Sequence, residues 1–506
     1  MGTNYSKPEP LSEKAVTKVN ANEAQYILEE QDDDHTPPPP YPARERTRAL
    51  ALSHLEDWSE SLLTDPKNRL AISSFASQSY GQLLANQKSL KSDLHVFNLT
   101  VPIEGTPITN QRSSGRCWLF AATNVFRVPL IKAYQLNEFE LSQAYLFYWD
   151  KIEKANYFFE QIINTADEDL SSRLVQKLLE DPVTDGGQWD MVANLVQKYG
   201  LVPHALYPDN FHAKNSSKLN WLLTAKLREQ ALALRKLATK KEADQAAYLT
   251  ASAKERFLQE IHSIVTLLLG PPPSPEKKFT WEYYDGNGTA REVHQTPIEF
   301  GKQAFRSQTR VSSRSSPAVS PGRLISLVND PRNEYNRLLT VDKLGNVLEG
   351  QSLRYVNVEM PVLKKAVISM LKAGHPVFFG CDVGKFSDST LGVMDADLTD
   401  LALGFNISLG MSKAERLASG ESAMTHAMVI TAVHLLDNGE PARWRVENSW
   451  GEAAGEKGWF VMTDKWMDEY TLQAVVDTNF LTSDVRDVLG QEPKVLPRWD
   501  PMGVLA

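Results

Sequence analysis

The chain has 506 residues, a formal net charge of -9, 42% hydrophobic and 23% charged residues, and only two cysteines. Such a composition describes a soluble globular protein with a sizeable core, in several domains or one domain with insertions. It excludes a disulfide-stapled secreted scaffold in favour of a reducing, cytoplasmic setting, gives no apolar run of about 18 residues to cross a membrane, and disfavours broad nucleic-acid binding.

Residues 1–44 read as a flexible tail extended by "DDDHTPPPP". Within it "MGTNYSK" places Gly2 and Ser6 as an N-myristoylation signal would, which would add a minor membrane-associated pool. "KNRLAISSFASQ" and "HVFNL" suggest short elements between turns. From Cys117 to Ala133 the chain predicts a buried helix, kinked or ended near Pro129. Residues 141–163 return aromatic and aliphatic side chains at helical spacing, a pattern of core packing. Residues 184–203 read as a glycine turn, an amphipathic helix stopped by Gly200, and an extended exit.

The tract 216–269 predicts two helices ended by "GPPPSPEKK". Its mixed charges describe a solvated face, with a nucleic-acid surface as the rarer reading. The segment 307–323, "SQTRVSSRSSPAVSPGR", has no apolar period and reads as an exposed loop open to phosphorylation. Beyond residue 370, "HPVFFGCDV", "AMVITAVHLL", "ARWRVENSW" and "GWFVMT" predict four strands of an antiparallel sheet or small barrel. Helices first and strands last make an α+β protein.

Cys117 follows "SSGR" and opens the predicted helix, where the helix dipole and unpaired N–H groups favour thiolate. On local sequence a buried, inert cysteine weighs as much as a nucleophile. Cys381, inside "VFFGCDV", reads as core. A thiolate attacking a carbonyl needs a base, a group to orient that base, and an oxyanion donor. His426 stands at the start of an apolar strand, held by the scaffold, whereas His434 lies at that strand's other end. His35 falls in the tail and His262 on a helix. Asn448 opens "NSWG", where its amide could hold an imidazole tautomer, and Gln111 lies six residues before Cys117 as a candidate oxyanion donor.

"Q-x5-C-W-x-F-A", "H-A" before an apolar strand, and "NSWG…GW" resemble the papain superfamily of cysteine peptidases. Within it, "GRCWLFAATN", "DGGQWDMVANLVQKYGLVP", "LVNDPRNEYN", "MTHAMVITAV", "WRVENSWG" and the terminal "PMGVLA" resemble the bleomycin hydrolase branch, from about residue 45 to the end. The resemblance implies Cys117 as nucleophile, His426 as general base and acid, Asn448 as its orienting partner, and Gln111 with the Cys117 N–H as oxyanion donors. It implies Trp450 as a shield over the Asn448–His426 contact, and Gly186 and Gly187 as a shelf that admits a peptide backbone. Ala506 would offer its terminal carboxylate to a substrate's α-amino group. Neither metal nor cofactor is implied.

The resemblance further implies a papain-like two-lobed fold, with a helical lobe at 45–210 and a β-rich lobe at 351–490. A mainly helical oligomerisation insertion would span 211–350, and a C-terminal arm would enter the cleft over 491–506. Cys117 and His426 stand 309 positions apart by number, against a usual interval of about 130 to 150, hence the insertion. The cysteines that pair in secreted relatives are missing: none precedes Cys117, and the shelf reads "VTDGG". A homohexamer and a cysteine aminopeptidase are implied, acting on peptides and aminoacyl compounds with a free α-amino group, among them bleomycin and homocysteine thiolactone. The main pool would be cytoplasmic, with a minor mitochondrial one. The competing readings are a papain-like endopeptidase and a nucleic-acid-binding structural oligomer with an incidental protease fold.

Overall fold

The computed structural model describes residues 49–505 apart from 93, 241 and 305–322. Gly2, Ala506 and all of the 307–323 loop except Arg323 therefore lie outside the described residues. Two compact units are distinguished. One gathers residues 49–87 and 399–416, the other residues 88–398 and 417–505.

The smaller unit carries helices Leu52–Thr64 and Pro66–Phe75, joined at Asp65, whose carboxylate accepts from the Lys67 N–H at 2.8 Å and caps the second helix. Phe405 stacks on Phe75 with ring centroids 5.3 Å apart and receives the edge of Tyr80.

In the larger unit the helix Cys117–Tyr134 starts directly after Ser-Ser-Gly-Arg and runs through Pro129, ending where Gln135 turns left-handed at φ 54°. Pro129 neither ends nor replaces it. Trp118, Leu119, Phe120, Phe126, Leu130 and Ile131 are all buried, and that packing outweighs the roughly 3 kcal/mol cost of an interior proline. The aromatic helix spans Gln143–Asn164, capped by Ser142 on the Tyr145 N–H at 3.1 Å. The helix Trp189–Tyr199 stops at Gly200, with φ 76°. A Cβ there would come within 2.0 Å of the Pro297 carbonyl, so only glycine fits. The tract 216–269 folds into helices Ser217–Ala238 and Ala243–Leu269.

A twelve-stranded sheet forms the other half of this unit. The four expected strands are Val377–Cys381, His426–Leu435, Pro441–Glu447 and Trp459–Thr463. They pair antiparallel, with Thr471–Asp477 added beside Val377–Cys381. The sheet also takes in Tyr355–Asn357 and, from before residue 351, Leu324–Val328 and Arg337–Val341. Three of its pairings are parallel, a departure from a purely antiparallel sheet. One of them joins Lys494–Leu496 of the C-terminal segment to Arg337–Val341. A small separate core of Val328, Leu339, Val341, Leu344, Leu353, Tyr355, Leu496 and Met502 seals that segment down.

Candidate active site

Two chain segments lie side by side near the start of the helix Cys117–Tyr134. The Gln111 N–H donates to the Ser449 carbonyl at 2.8 Å, and the Gly451 N–H to the Thr109 carbonyl at 3.0 Å. Gly451 has φ 78°, and a Cβ there would come 2.3 Å from the Asn110 amide. Gln111 is thereby tied to the loop that follows Asn448. Its side chain is also fixed at both ends: Nε2 donates to the Ser114 carbonyl at 2.7 Å, and Oε1 accepts from the Ser449 hydroxyl at 2.7 Å. An amide nitrogen has two hydrogens, so one remains for another acceptor.

Cys117 is the first residue of its helix and is buried. The guanidinium of Arg116 does not act on it as a free charge. It forks onto Asp209 through two bonds of 2.8 Å and donates to the Ser114 hydroxyl at 2.9 Å. Burial pushes the Cys117 thiol up to about 11, against the pull of the Ala427, Trp118 and Cys117 backbone N–H groups. The dipole-driven thiolate expected from sequence is therefore not the resting form of an isolated Cys117. Loss of hydration from a whole charge outweighs the partial charge at a helix end.

His426 begins its strand directly opposite Cys381, and both are buried. The Ala427 N–H near the Cys117 sulfur belongs to the next residue of this strand. His426 Nε2 lies 2.9 Å from Asn448 Oδ1. That oxygen also accepts from the Ser449 N–H at 2.7 Å, which can only donate, so the amide orientation is settled. Nε2 must then carry the hydrogen in this contact, and Nδ1 holds the free lone pair of the neutral ring. Trp450 lies over the imidazole with centroids 4.8 Å apart and ring planes 31° apart. Burial lowers the His426 pKa to about 4, although the Asn448 bond favours the protonated ring.

Burial works against a lone charge on either group. Were the thiol proton to pass to the imidazole, both charges would form together, and each would offset the desolvation of the other. Such a site can deliver a thiolate and an imidazolium when an acceptor carbonyl is present.

The shelf residues show what sequence reading missed. A Cβ on Gly187 would fall 2.4 Å from the Trp118 ring, so this glycine is demanded by packing beneath it. Asp185, just before the shelf, is a hub. Its carboxylate accepts from the Gly115 N–H at 3.0 Å, Lys151 at 2.7 Å, Asn220 at 2.8 Å and the Ser216 hydroxyl. Its carbonyl takes the Trp118 indole N–H at 2.7 Å. Lys154 supports the same turn through the Gly186 carbonyl at 2.7 Å and pairs with Asp150 at 2.6 Å. Burial would raise the Asp185 carboxyl, but the Lys151 ammonium and these donors hold it well below the usual carboxylate range.

These contacts join the loop before Cys117 to the shelf. The available signal was "WDKIEK", four charges interrupting an aromatic stripe on the 143–164 helix. Replacing Asp185 with alanine strands Lys151 in the interior and should cost about 3–5 kcal/mol, read as a lowered Tm.

His434 lies at the far end of its strand, and Cys381 is a buried core residue paired across the sheet with His426. Among the described residues no group of His, Cys, Asp and Glu could hold a metal ion, and no helix is long and apolar enough to cross a membrane.

Fold and site together place the protein among the papain-like cysteine peptidases. Comparison with known proteins narrows that class: residues 49–503 match the Peptidase C1-like family, and the chain belongs to it. It is 43% identical over 466 residues to "Cysteine proteinase 1, mitochondrial" of Saccharomyces cerevisiae, spanning 90% of this chain and 93% of the relative. Human bleomycin hydrolase is 42% identical over 459 residues, spanning 88% of this chain and 96% of the relative. Among solved structures, the crystal structure of pepw from Lactobacillus rhamnosis matches with a TM-score of 0.83 and 38% identity. That match covers 91% of this chain and all of the other.

Proposed function

We propose that the protein is a cysteine aminopeptidase of the bleomycin hydrolase type. Cys117 is the nucleophile, His426 Nδ1 the base, and Asn448 the group that fixes the imidazole. Gln111 Nε2 and the Cys117 backbone N–H receive the oxyanion, and Trp450 keeps water from the His426–Asn448 bond. The thiol proton passes to His426 as Sγ bonds to the first peptide carbonyl. The carbon–nitrogen bond then breaks, and His426 returns that proton to the leaving amine. Water, deprotonated by His426, releases the acyl group and restores the thiol.

The observation that carries the exopeptidase reading is the course of the C-terminal segment. Gln188, next to Gly186 and Gly187, donates to the Val504 carbonyl at 2.9 Å, so the chain end runs beside the shelf. A carboxylate on Ala506, two residues further on, would take a substrate's α-ammonium by charge-assisted hydrogen bonding and close the groove to longer chains. Substrates are then peptides and small aminoacyl compounds with a free α-amino group. Bleomycin and homocysteine thiolactone fit that description.

A homohexamer, with helices Ser217–Ala238 and Ala243–Leu269 in its contacts, belongs to the same reading. So does a cytoplasmic location, with a mitochondrial pool suggested by the name of the yeast relative. The net charge of -9 gives nucleic-acid binding no support. The test compares free and N-acetylated aminoacyl-fluorogenic substrates. Deleting Ala506 should lower the ratio of their kcat/KM values at least tenfold. An unchanged ratio would remove the carboxylate anchor, and rapid turnover of acetylated substrate by the intact chain would make the protein an endopeptidase.

A further inference from the structure

Gln188 carries no role in the scheme above, yet its side chain hydrogen-bonds the backbone at Val504, just before Leu505 packs against the two apolar cores. It is buried at the N-terminal boundary of helix Trp189–Tyr199, directly after Gly187, which packs against the neighbour of Cys117. A carbonyl oxygen can only accept, so the Val504 carbonyl fixes the Gln188 amide with Nε2 toward it; the flipped amide would set two oxygens face to face. Gln188 Oε1 is buried and takes no hydrogen bond from any described residue. The donor half of the amide is thus the half that makes a bond here.

The segment upstream does not depend on this bond. Lys494–Leu496 is paired in the sheet, and Met502 is sealed in the small separate core. Asp500 binds Arg332 at 2.8 Å, and Arg498 donates to the Gly503 carbonyl at 3.3 Å. These contacts anchor the segment up to Gly503. Beyond it the Val504 N–H donates to the Pro501 carbonyl at 3.2 Å and Leu505 packs against both cores, while the bond from Gln188 ties the Val504 carbonyl to the shelf.

We propose that Gln188 is a specificity-determining latch: by holding the Val504 carbonyl against the glycine shelf, it sets the reach of the chain terminus into the groove. It is a positioning residue, acting through the C-terminal segment, and it rests on the aminopeptidase reading above. Without the latch Leu505 still packs against the cores, but the backbone at Val504 is no longer tied to the shelf. A free α-amino group then meets its counter-charge less often, and the room left behind admits blocked substrates.

The test uses the full-length protein, its Gln188→Met and Gln188→Asn variants, and the protein lacking Ala506. Methionine keeps the length and removes the donor; asparagine keeps the amide and falls short by one methylene. Each is assayed with free and N-acetylated aminoacyl substrates, alongside the rate of Cys117 alkylation by iodoacetamide. Both substitutions should lower the free-to-acetylated ratio of kcat/KM about tenfold, as expected for loss of one buried hydrogen bond, with the alkylation rate within about twofold. Brief carboxypeptidase treatment should also release the terminal residues faster from the variants than from wild type.

A ratio unchanged at Gln188, while deletion of Ala506 shifts it, would overturn the latch and leave the carboxylate anchor standing. A ratio unmoved by the deletion would overturn both. Equal loss on the two substrates, with slowed alkylation, would make Gln188 a general support of the site and would also overturn the latch. Should Gln188→Met fail to fold, Gln188→Asn carries the same comparison.

Discussion

Cys117→Ala should lower kcat by at least about 10⁴-fold, the scale on which removal of a covalent nucleophile is felt, while the protein still folds. Alanine deletes one sulfur from a helix start whose neighbours are fixed by other bonds. Gln111 is held by Ser114 and Ser449, Arg116 by Asp209, and Gly115 by Asp185. Loss of that buried atom costs on the order of 1 kcal/mol, a change of a few degrees in Tm. Cys117→Ser retains the shape and should be comparably inactive, since a hydroxyl has no accessible anion in a pocket that already pushes a thiol up to about 11. Steady-state kinetics and a thermal melt decide the matter. More than about a tenth of wild-type turnover in either variant would mean that the bond is made elsewhere.

What the sequence showed was local. "CWLF" after "SSGR" marked a helix start, Gly200 marked a stop, and β-branched runs bounded by glycine or polar residues marked four strands. Each of those signals is written within a few neighbouring residues. The strands Leu324–Val328, Arg337–Val341 and Tyr355–Asn357 are three to five residues long. Their extended state depends on partners such as Thr471–Asp477, 149 positions away by number between Val328 and Asp477. They could not be recognised from their own residues.

The charged hub was hidden for a related reason. Asp150, Lys151 and Lys154 sit in a stripe read only as core packing, and Asp185, the partner of Lys151, lies more than thirty residues further along the chain. Pro129 misled in the opposite sense, because its local cost is known and the packing that overrides it is not visible in sequence. The site was legible as residue types and chain order, through the family resemblance. Its electrostatics were not: a helix dipole can be inferred from a helix start, whereas the burial that outweighs it exists only after folding.

Asn448→Leu tests the imidazole end of that electrostatic arrangement. Leucine matches asparagine in size and keeps the space under Trp450 dry, but it gives His426 Nε2 no acceptor. The neutral ring is then free to place its hydrogen on Nδ1, the atom that must receive the thiol proton. Turnover should fall about a hundredfold, the lower part of the range for a general acid–base group and well short of the loss at Cys117. The pH profile separates this effect from simple damage. Protonating His426 while the thiol stays intact removes the base, so the acid limb of wild-type kcat/KM should lie near pH 4. A substrate α-amino group remains fully protonated through that region and does not contribute. The Asn448 bond favours the charged ring, so its loss must lower the His426 pKa and carry the limb to still lower pH. A limb that moved toward the ordinary histidine value near 6.5 would mean that water had entered, and that Asn448 acts by excluding solvent more than by fixing the ring.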